Sequence, residues 1–424
     1  RLGNNMEMKK YKLGEIATVE ISGVDKKTKE NETPVRLCNF TDVYHNWAIT
    51  NDMLDSFMQA SANQKEIDSF SIRKGQVAFT KDSETRDDIG IPTYIADDFE
   101  NVVLGYHTAL VTPDETKLSG KYLNAFMNTK FIQKYFENNA SGSGQRYTLS
   151  NETLNSIPVI LPDLKTQKEI GNFFSNIDRK IALNRRMNEK LEAMAKRLYD
   201  YWFVQFDFPG TDGKPYKSSG GKMEYNATLK REIPAGWEVG NLYDIAEYVN
   251  GLACQNYRPK ESEKSLPVIK IREMNEGITA DTEKVSASIP GKYRIYAGDI
   301  LFSWSASLEI KIWTGETGGL NQHIFKVIPK GYFSKGYVYQ QLSAYLVNFQ
   351  KMAESRKTTM GHITSDHIKQ SRILIPPKEI ISAFTKKTLS IFNYQLSIEK
   401  ETTKLTALRD RLLPLLMNGQ VEVK

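Results

Sequence analysis

The chain contains two copies of one sequence pattern. Four blocks recur in the same order, and each keeps its apolar alternation and its turn residues. The paired blocks are residues 13–17 with 242–246, 72–80 with 295–303, 107–113 with 323–329, and 149–162 with 363–376. Similarity at several places in one order indicates a tandem duplication, so we expect two structural units of the same kind.

Each copy changes character along its length. Its first part has short runs rich in Val, Ile, Tyr and Thr between Gly or Pro breaks, which predicts short strands mixed with one or two helices. From residue 167 to about residue 203 there is no proline and one glycine, Gly171, and the apolar residues follow the period of a helix. The second copy changes in the same way after Pro376 and Pro377. We therefore predict a long helix at the end of each copy.

An apolar seam runs along both predicted helices. It consists of Ile170, Phe174, Ile177, Ile181, Leu191, Ala195, Leu198 and Trp202 in the first helix, and of Ile391, Ile398, Leu405 and Leu412 in the second. A flanking row, Met194 and Tyr201 with Leu408 and Leu415, widens both faces. Asn184 and Asn188 fill the remaining seam positions, either as buried residues that set the register of a coiled coil or as solvated residues.

Two arrangements suit such helices, because each could lie on its own domain or pack against the other. The matched phase favours mutual packing, and antiparallel pairing would relate the copies by a pseudo-twofold axis. The predicted fold class is therefore α+β, with two mixed α/β domains in a pseudo-two-fold tandem repeat, separated by two long antiparallel coiled-coil helices. The predicted ranges are 1–165 for the first domain, 166–205 for the central helix, 206–236 for a linker, 237–378 for the second domain and 379–424 for the C-terminal helix.

Composition excludes several classes of protein. The longest apolar runs are short, and residues 412–417 are interrupted by Pro414, so we expect no segment that spans a bilayer. The stretch before Met6 lacks the apolar core of a signal peptide, and we expect a cytoplasmic protein. Cys38 and Cys254 lie far apart, which argues against a disulfide framework and against a zinc site.

Motifs of the obvious DNA enzymes are missing from the sequence. Pro376-Pro377 stands between Ile375 and Lys378 rather than in the Asp/Asn-Pro-Pro-aromatic tetrad of an adenine methyltransferase, and no P-loop occurs. A nuclease pattern occurs formally as Asp163 with Asp178 and Lys180, but Asp178 lies inside the heptad run. We expect no catalytic residue, no metal and no cofactor, with an enzyme of unrecognised site as an alternative.

The loops between predicted elements carry residues suited to contact DNA. The candidates are Lys81, Arg86, Ser143, Gln145, Arg146 and Thr148 in the first copy, and Lys270, Arg272, Ser303, Trp304, Lys311, Arg356, Lys357, Thr358 and His362 in the second. Lys270 and Arg272 alternate with Ile269 and Ile271, which predicts a strand with both cations on one face. Taken singly, each lysine is more readily explained as a solvated surface residue, and loops without a function would diverge in the same way. For His107 and His323 we favour a structural hydrogen-bonding role over a catalytic one.

Several further pieces of sequence stand in a fixed order. They are residues 160–162 leading to Gln167-Lys168-Glu169-Ile170, the aromatic run 198–207, Ile233-Pro234-Ala235-Gly236-Trp237, and residues 411–419. In this order and spacing the chain resembles the specificity subunits of type I restriction-modification enzymes over essentially its whole length. It departs from that pattern at Ile380-Ile381, where the glutamine of the Gln167 motif is not repeated.

The resemblance implies a non-catalytic subunit whose two target-recognition domains bind double-stranded DNA at a bipartite, asymmetric site. It also implies two partner modification subunits, which use S-adenosylmethionine to methylate adenine, and restriction subunits that join through the complex. The alternative from another class is a non-catalytic coiled-coil scaffold with two protein-binding domains.

Overall fold

The computed structural model describes residues 8–142, 144–279, 281–305, 307–354 and 363–423. The chain divides into two compact units. The first comprises residues 1–182 and 405–424, and the second comprises residues 183–404. Among the described residues, no helix has both the length and the apolar character needed to cross a membrane.

The first unit is a mixed α/β domain. Its strands are β1 (Lys9–Lys12), β2 (Ala17–Ile21), β3 (Thr33–Cys38), β4 (Ala48–Ile49), β5 (Met58–Ala62), β6 (Val77–Thr80), β7 (Asp82–Ser83), β8 (Pro92–Ile95), β9 (Val102–Leu104), β10 (Thr108–Pro113), β11 (Ser141–Gly142), β12 (Tyr147–Thr148) and β13 (Pro158–Leu161). Its helices are α1 (Phe40–His45), α2 (Gln64–Phe70), α3 (Gly120–Met127), α4 (Lys130–Asn139), α5 (Asn151–Asn155) and the start of α6 (Leu164–Tyr199).

A five-stranded sheet with the order β2-β10-β6-β8-β4 forms the centre of the first unit. A second sheet has the order β5-β3-β9, in which β3 and β9 are parallel. Val77 and Phe79 of β6 and Val111 of β10 belong to the same buried cluster as Phe136 of α4. The central strands are buried on both faces, so their apolar runs are nearly continuous.

The second unit repeats this plan. Its strands are β14 (Met223–Asn226), β15 (Arg231–Pro234), β16 (Glu238–Gly240), β17 (Ala246–Asn250), β18 (Ser265–Ile269), β19 (Lys284–Ser286), β20 (Arg294–Ile295), β21 (Ile300–Ser303), β22 (Glu309–Ile312), β23 (Gly318–Leu320), β24 (Ile324–Pro329) and β25 (Ile373–Ile375). Its helices are α7 (Leu242–Ile245), α8 (Ile271–Glu276), α9 (Lys335–Glu354), α10 (Ser365–Gln370) and most of α11 (Lys378–Met417). The sheet order β17-β24-β21-β22 corresponds to β2-β10-β6-β8, which confirms the tandem repeat.

The conserved glycine of the second sequence block has the same conformation in both copies. Gly75 precedes β6 with φ 97°, and Gly298 precedes β21 with φ 95°. A side chain at either position would be strained, because L-residues rarely adopt such values. The two glycines therefore set the turn from which the equivalent strands begin.

Helix α6 is anchored at its start by two polar side chains. Asp163 caps it, because its carboxylate accepts from the backbone N and the hydroxyl of Thr166 at 3.0 and 2.6 Å. Gln167 is buried, and its amide accepts from the backbone N of Ser119 and donates to the carbonyls of Lys117 and Pro162, all at 3.0 Å. In the second copy α11 begins at Lys378. The buried Ile381 occupies the position that corresponds to Gln167 of the first copy.

The two long helices pack against each other within each unit. In the first unit Ile170 and Phe174 share a buried cluster with Leu413 and Leu416. In the second unit Asn184 donates to Glu401 at 2.8 Å, while the Tyr199 ring contacts that of Phe384 farther along. Residue numbers rise along one helix as they fall along the other, so the pairing is antiparallel there. Asn184 is 4% exposed, which agrees with a buried, register-setting residue.

The flanking row predicted to widen the helix faces is largely exposed. Met194, Tyr201 and Leu408 are 50%, 38% and 42% exposed, so this part of the prediction was wrong. Within the seam, Asn184 and Asn188 donate to Glu401 and Glu399 of α11.

The segment predicted as a linker, residues 206–236, is folded against the second unit. It contains the hairpin of β14 and β15, and it buries Phe206 and Phe208 beside Trp237. Glycines and prolines in this stretch mark turns between packed residues rather than a free connection.

We predict that Gly171→Ala destabilises the protein by about 1–3 kcal/mol, because the added Cβ would lie 2.8 Å from the Cβ of Lys121 and the backbone N of Tyr122. Alanine normally favours a helix over glycine by up to about 1 kcal/mol. The matched control is Gly336→Ala in α9, where the nearest atom is 3.8 Å away and a small gain in stability is expected. Urea denaturation of both variants measures the free energy of unfolding, and a stabilised Gly171→Ala variant would contradict the packing.

Candidate nucleic-acid interface

Three loops of the first unit meet where β6 ends. After Thr80 the chain passes through Lys81 into β7, which forms a small sheet with the hairpin of β11 and β12. The backbone N of Lys81 donates to the carbonyl of His107 at 2.8 Å, and the backbone N of Leu149 donates to the carbonyl of Lys81 at 3.0 Å. These bonds bring residues from distant parts of the sequence to one place.

Asp82 lies at the centre of this meeting point and is buried. Its carboxylate is 3.0 Å from Nζ of Lys81 and accepts from Nδ1 of His107 at 2.6 Å. The Lys81 ammonium also donates to the Thr148 hydroxyl at 3.1 Å. Burial by itself raises the pKa of the carboxyl, but hydrogen bonds from Thr148, His107 and Lys81, together with the nearby ammonium charge, hold that pKa below its ordinary value. Asp82 is therefore an ionised, fully engaged acid at neutral pH.

An outer layer of aromatic and basic side chains covers Asp82. Nη2 of Arg146 lies 2.5 Å from Nδ1 and 2.7 Å from Nε2 of His107, and the rings of Tyr106 and His107 have centroids 3.7 Å apart. Arg86 lies over the ring of Tyr147 at 5.0 Å. Tyr106 and Arg146 remain about half exposed. Cations on aromatic rings at a loop surface are suited to phosphates and to the edges and faces of bases.

The structure brings together most of the residues predicted in the first copy. Lys81, Arg146 and Thr148 belong to one hydrogen-bonded group, with Arg86 beside it, and Gln145 is exposed on the loop between β11 and β12. Ser143 lies outside the described residues.

The functional candidates that the sequence analysis did not select are Asp82, Tyr106 and Tyr147. Asp82 could have been found as an acid that directly follows Lys81 at the end of a repeated strand, 25 residues before the histidine of the next repeated block. His107 makes the structural hydrogen bond that was favoured for it, although it precedes β10 instead of lying within it.

The second unit has the same backbone framework with other side chains. The backbone N of Trp304 donates to the carbonyl of His323 at 3.2 Å, and the backbone N of Ile363 donates to the carbonyl of Trp304 at 3.0 Å. Trp304 thus corresponds to Lys81. Its indole N–H donates to Asn250 at 3.0 Å, and its ring lies 5.5 Å from that of His323.

The remaining predicted residues of the second copy have other surroundings. Ser303 is fully buried, and its hydroxyl bonds to the backbone of Ser307 and Glu309 within its own loop. Lys311 donates to the side chain of Asn275 and to the carbonyl of Met274. Arg356, Lys357, Thr358 and His362 lie outside the described residues.

Lys270 and Arg272 do not lie on a strand, so that prediction was wrong. Strand β18 ends at Ile269, and helix α8 begins because the carboxylate of Glu273 accepts from the backbone N of Lys270 at 3.2 Å. Lys270 pairs with Glu283 at 2.6 Å, and Arg272 pairs with the buried Glu273 at 2.7 Å. Both cations are therefore neutralised by acids of the same unit.

The formal nuclease pattern is distributed along one helix. Asp163 caps the start of α6, and Asp178 lies within that helix, so the two carboxylates do not come from adjacent strands. In the part of the chain that the structure describes, no group of three or more His, Cys, Asp or Glu could hold a metal ion.

Comparisons with known proteins agree on one family. The family model described as the type I restriction modification DNA specificity domain matches residues 5–193 and 234–407. The specificity subunit of the type I restriction enzyme HindI from Haemophilus influenzae is 25% identical over 98% of this chain and 100% of that subunit. The MjaIX specificity subunit of Methanocaldococcus jannaschii is 25% identical over 72% of this chain and 69% of that subunit.

A solved structure has the same fold. The type I restriction-modification S subunit from M. genitalium superposes with a TM-score of 0.58 at 14% identity, over 98% of this chain and 97% of that one.

We predict that Asp82→Asn lowers the free energy of unfolding at pH 7 by about 1–3 kcal/mol, because it removes the charged acceptor from Lys81 and His107. A carboxyl whose pKa is lowered on folding stabilises the protein above its unfolded pKa of about 4, and this contribution is lost as the pH falls through the folded pKa. The difference from the native chain should therefore shrink below about pH 4.

Urea midpoints at pH 7 and pH 3 measure this difference, with the exposed Glu84→Gln of the same loop as a control that changes little. An Asp82→Asn penalty of equal size at both pH values would argue against the ionised acid.

Proposed function

The chain belongs to the type I restriction-modification DNA specificity family, and on that premise we propose that its two units recognise separate halves of one asymmetric, bipartite site in double-stranded DNA. The family acts in sequence-specific DNA recognition.

The observation that carries the proposal is one backbone framework with two sets of side chains. Lys81 and Trp304 are held by equivalent backbone bonds at the end of equivalent strands. The ammonium of Lys81 pairs with the buried Asp82. The indole of Trp304 donates to the side chain of Asn250 and lies beside the imidazole of His323. A scaffold that is constant while its loop chemistry differs suits recognition of two different sequences.

In the first unit the loop chemistry is that of base and phosphate contacts. Arg86 and Arg146 are exposed cations, Tyr106 is an exposed ring, and Gln145 is an exposed amide. Arginine pairs with the major-groove edge of guanine and glutamine with that of adenine, whereas cations of either kind hold phosphates. We assign these side chains to the DNA-facing surface of the first unit.

The chain itself supplies no reacting group in this scheme. It assembles with other subunits of the restriction-modification system, and we propose two modification subunits, which methylate adenine with S-adenosylmethionine, and restriction subunits that join through the complex. Because its target is DNA, we place the protein in the cytoplasm. No cofactor is assigned to this chain.

We assign the partner contact to an exposed apolar row on α6. Leu183, Met187 and Met194 are 42–50% exposed, and their spacing places them within about 40° of one another around the helix. Exposed apolar side chains aligned along a helix are typical of surfaces that another protein covers. The row flanks the seam that packs onto α11, so a partner could cover it without disturbing the helix pair.

The function is tested by exchanging residues 10–165 for those of another specificity subunit. Methylome sequencing of cells that express the chimera with its modification subunits should show one half of the methylated motif changed and the other half retained. A motif that changes in both halves would contradict the division of labour. If the chain leaves methylation unaltered and the complex that contains it binds no duplex DNA, the alternative function as a protein-binding scaffold is favoured.

We predict that Met194→Glu weakens assembly with the modification subunit at least about tenfold while the free energy of unfolding changes little, because the residue is exposed in the chain. The matched control is Phe131→Glu, an equally exposed apolar residue of the first unit. Analytical ultracentrifugation of the mixed subunits measures the association. Equal effects of the two substitutions, or no effect of either, would remove the assignment of this row.

A further inference from the structure

His107 adopts a backbone conformation that is uncommon for residues other than glycine. Its φ of 72° lies in the left-handed region, where a side chain crowds the backbone. The residue directly precedes β10, whose residues Thr108 to Val111 pair with β6. The conformation aims the imidazole away from the sheet and toward the end of β6, where Asp82 lies.

The imidazole is held on three sides. Nδ1 is 2.6 Å from the Asp82 carboxylate, and Nη2 of Arg146 lies 2.5 Å from Nδ1 and 2.7 Å from Nε2. The Tyr106 ring, tilted by 59° to the imidazole, has its centroid 3.7 Å from that of the imidazole. Asp82 is fixed in turn by Lys81. A carboxylate accepts only, so Nδ1 carries the proton that is donated to Asp82. The guanidinium of Arg146 contacts the imidazole at both of its ring nitrogens.

The chain of contacts therefore fixes one edge of an exposed guanidinium. The Arg146 side chain is 56% exposed, and its remaining N–H groups form the planar fork that matches two acceptors side by side. An exposed arginine normally loses much conformational freedom when it binds, and an arginine that is already held loses less.

We propose that Arg146 recognises one guanine through its O6 and N7 atoms in the half-site bound by the first unit, and that Asp82 and His107 are the positioning residues that orient it. This inference rests on the proposed function, because it names the base that the first unit selects. Guanine is the base whose major-groove edge offers two adjacent acceptors to such a fork.

The second unit lacks the acid at the equivalent position. Ser305 follows Trp304 as Asp82 follows Lys81, and it is buried. His323 faces the Trp304 ring instead of a carboxylate. The oriented guanidinium is thus a property of the first unit, and the equivalent histidine provides an internal control.

The test measures methylation by the complete complex on duplexes in which each base pair of the recognised site is replaced singly. Arg146→Ala should lower the preference for one G·C pair, in the half assigned by the domain exchange, by about 10- to 100-fold, and preferences at other positions should stay unchanged. Arg146→Lys should lose the same preference, because lysine keeps the charge without the fork. Asp82→Asn and His107→Asn should lose part of it at the same base pair.

The control His323→Asn should leave that preference intact. A loss that is uniform over all positions would identify Arg146 as a phosphate contact and overturn the proposal, as would a loss confined to an A·T pair or an unchanged preference in Arg146→Ala. If Asp82→Asn lowers methylation of every duplex by the same factor, so that the preference for the G·C pair is unchanged, Asp82 has only a structural role. A native complex without any sequence preference would instead refute the proposed function.

Discussion

The backbone bonds that end the repeated strand determine what each unit can display beyond it. In both units the residue after the strand, Lys81 or Trp304, donates its backbone N–H to the carbonyl of a histidine. Its own carbonyl accepts from a backbone N–H of a later loop. Because these bonds involve the main chain alone, the side chains at Lys81 and Trp304 could diverge without moving the loops. The sheet core supplies the rigidity, since Phe79 and Phe302 just before these positions are fully buried.

Buried acids give the two units different electrostatic surfaces. In the first unit Asp82 is covered by Lys81, His107 and Arg146, so one carboxylate organises several cations that remain partly exposed. In the second unit the carboxylate of Glu273 accepts from the backbone N of Lys270 at the start of α8 and pairs with Arg272. Lys270 and Arg272 of the second unit are paired with acids of that unit. The indole of Trp304 occupies the position that corresponds to the ammonium of Lys81 in the first unit.

Sequence patterns predicted the features that arise from local periodicity and from repetition. The duplication, the long helices and the position of Asp178 within the first of them follow from spacing that is visible in the chain. The start of α8 was missed because Ile269 and Ile271 alternate like a strand, while the Glu273 cap that ends the strand is a single side-chain contact. Exposure of Met194 depends on which helix face meets α11, and the link between Asp82 and His107 depends on the sheet register. Neither is encoded in local spacing.

The helix that closes the first unit comes from the far end of the chain. Leu413, Leu416 and Met417 lie in the same buried cluster as Leu13, Tyr122 and Ile170. During synthesis the N-terminal sheet thus leaves the ribosome with part of its apolar surface uncovered, and it must wait for the whole of the second unit to be made before that surface is closed. A chain that stops before Leu405 would lack this part of the first core, and its first unit would be less stable than in the full chain.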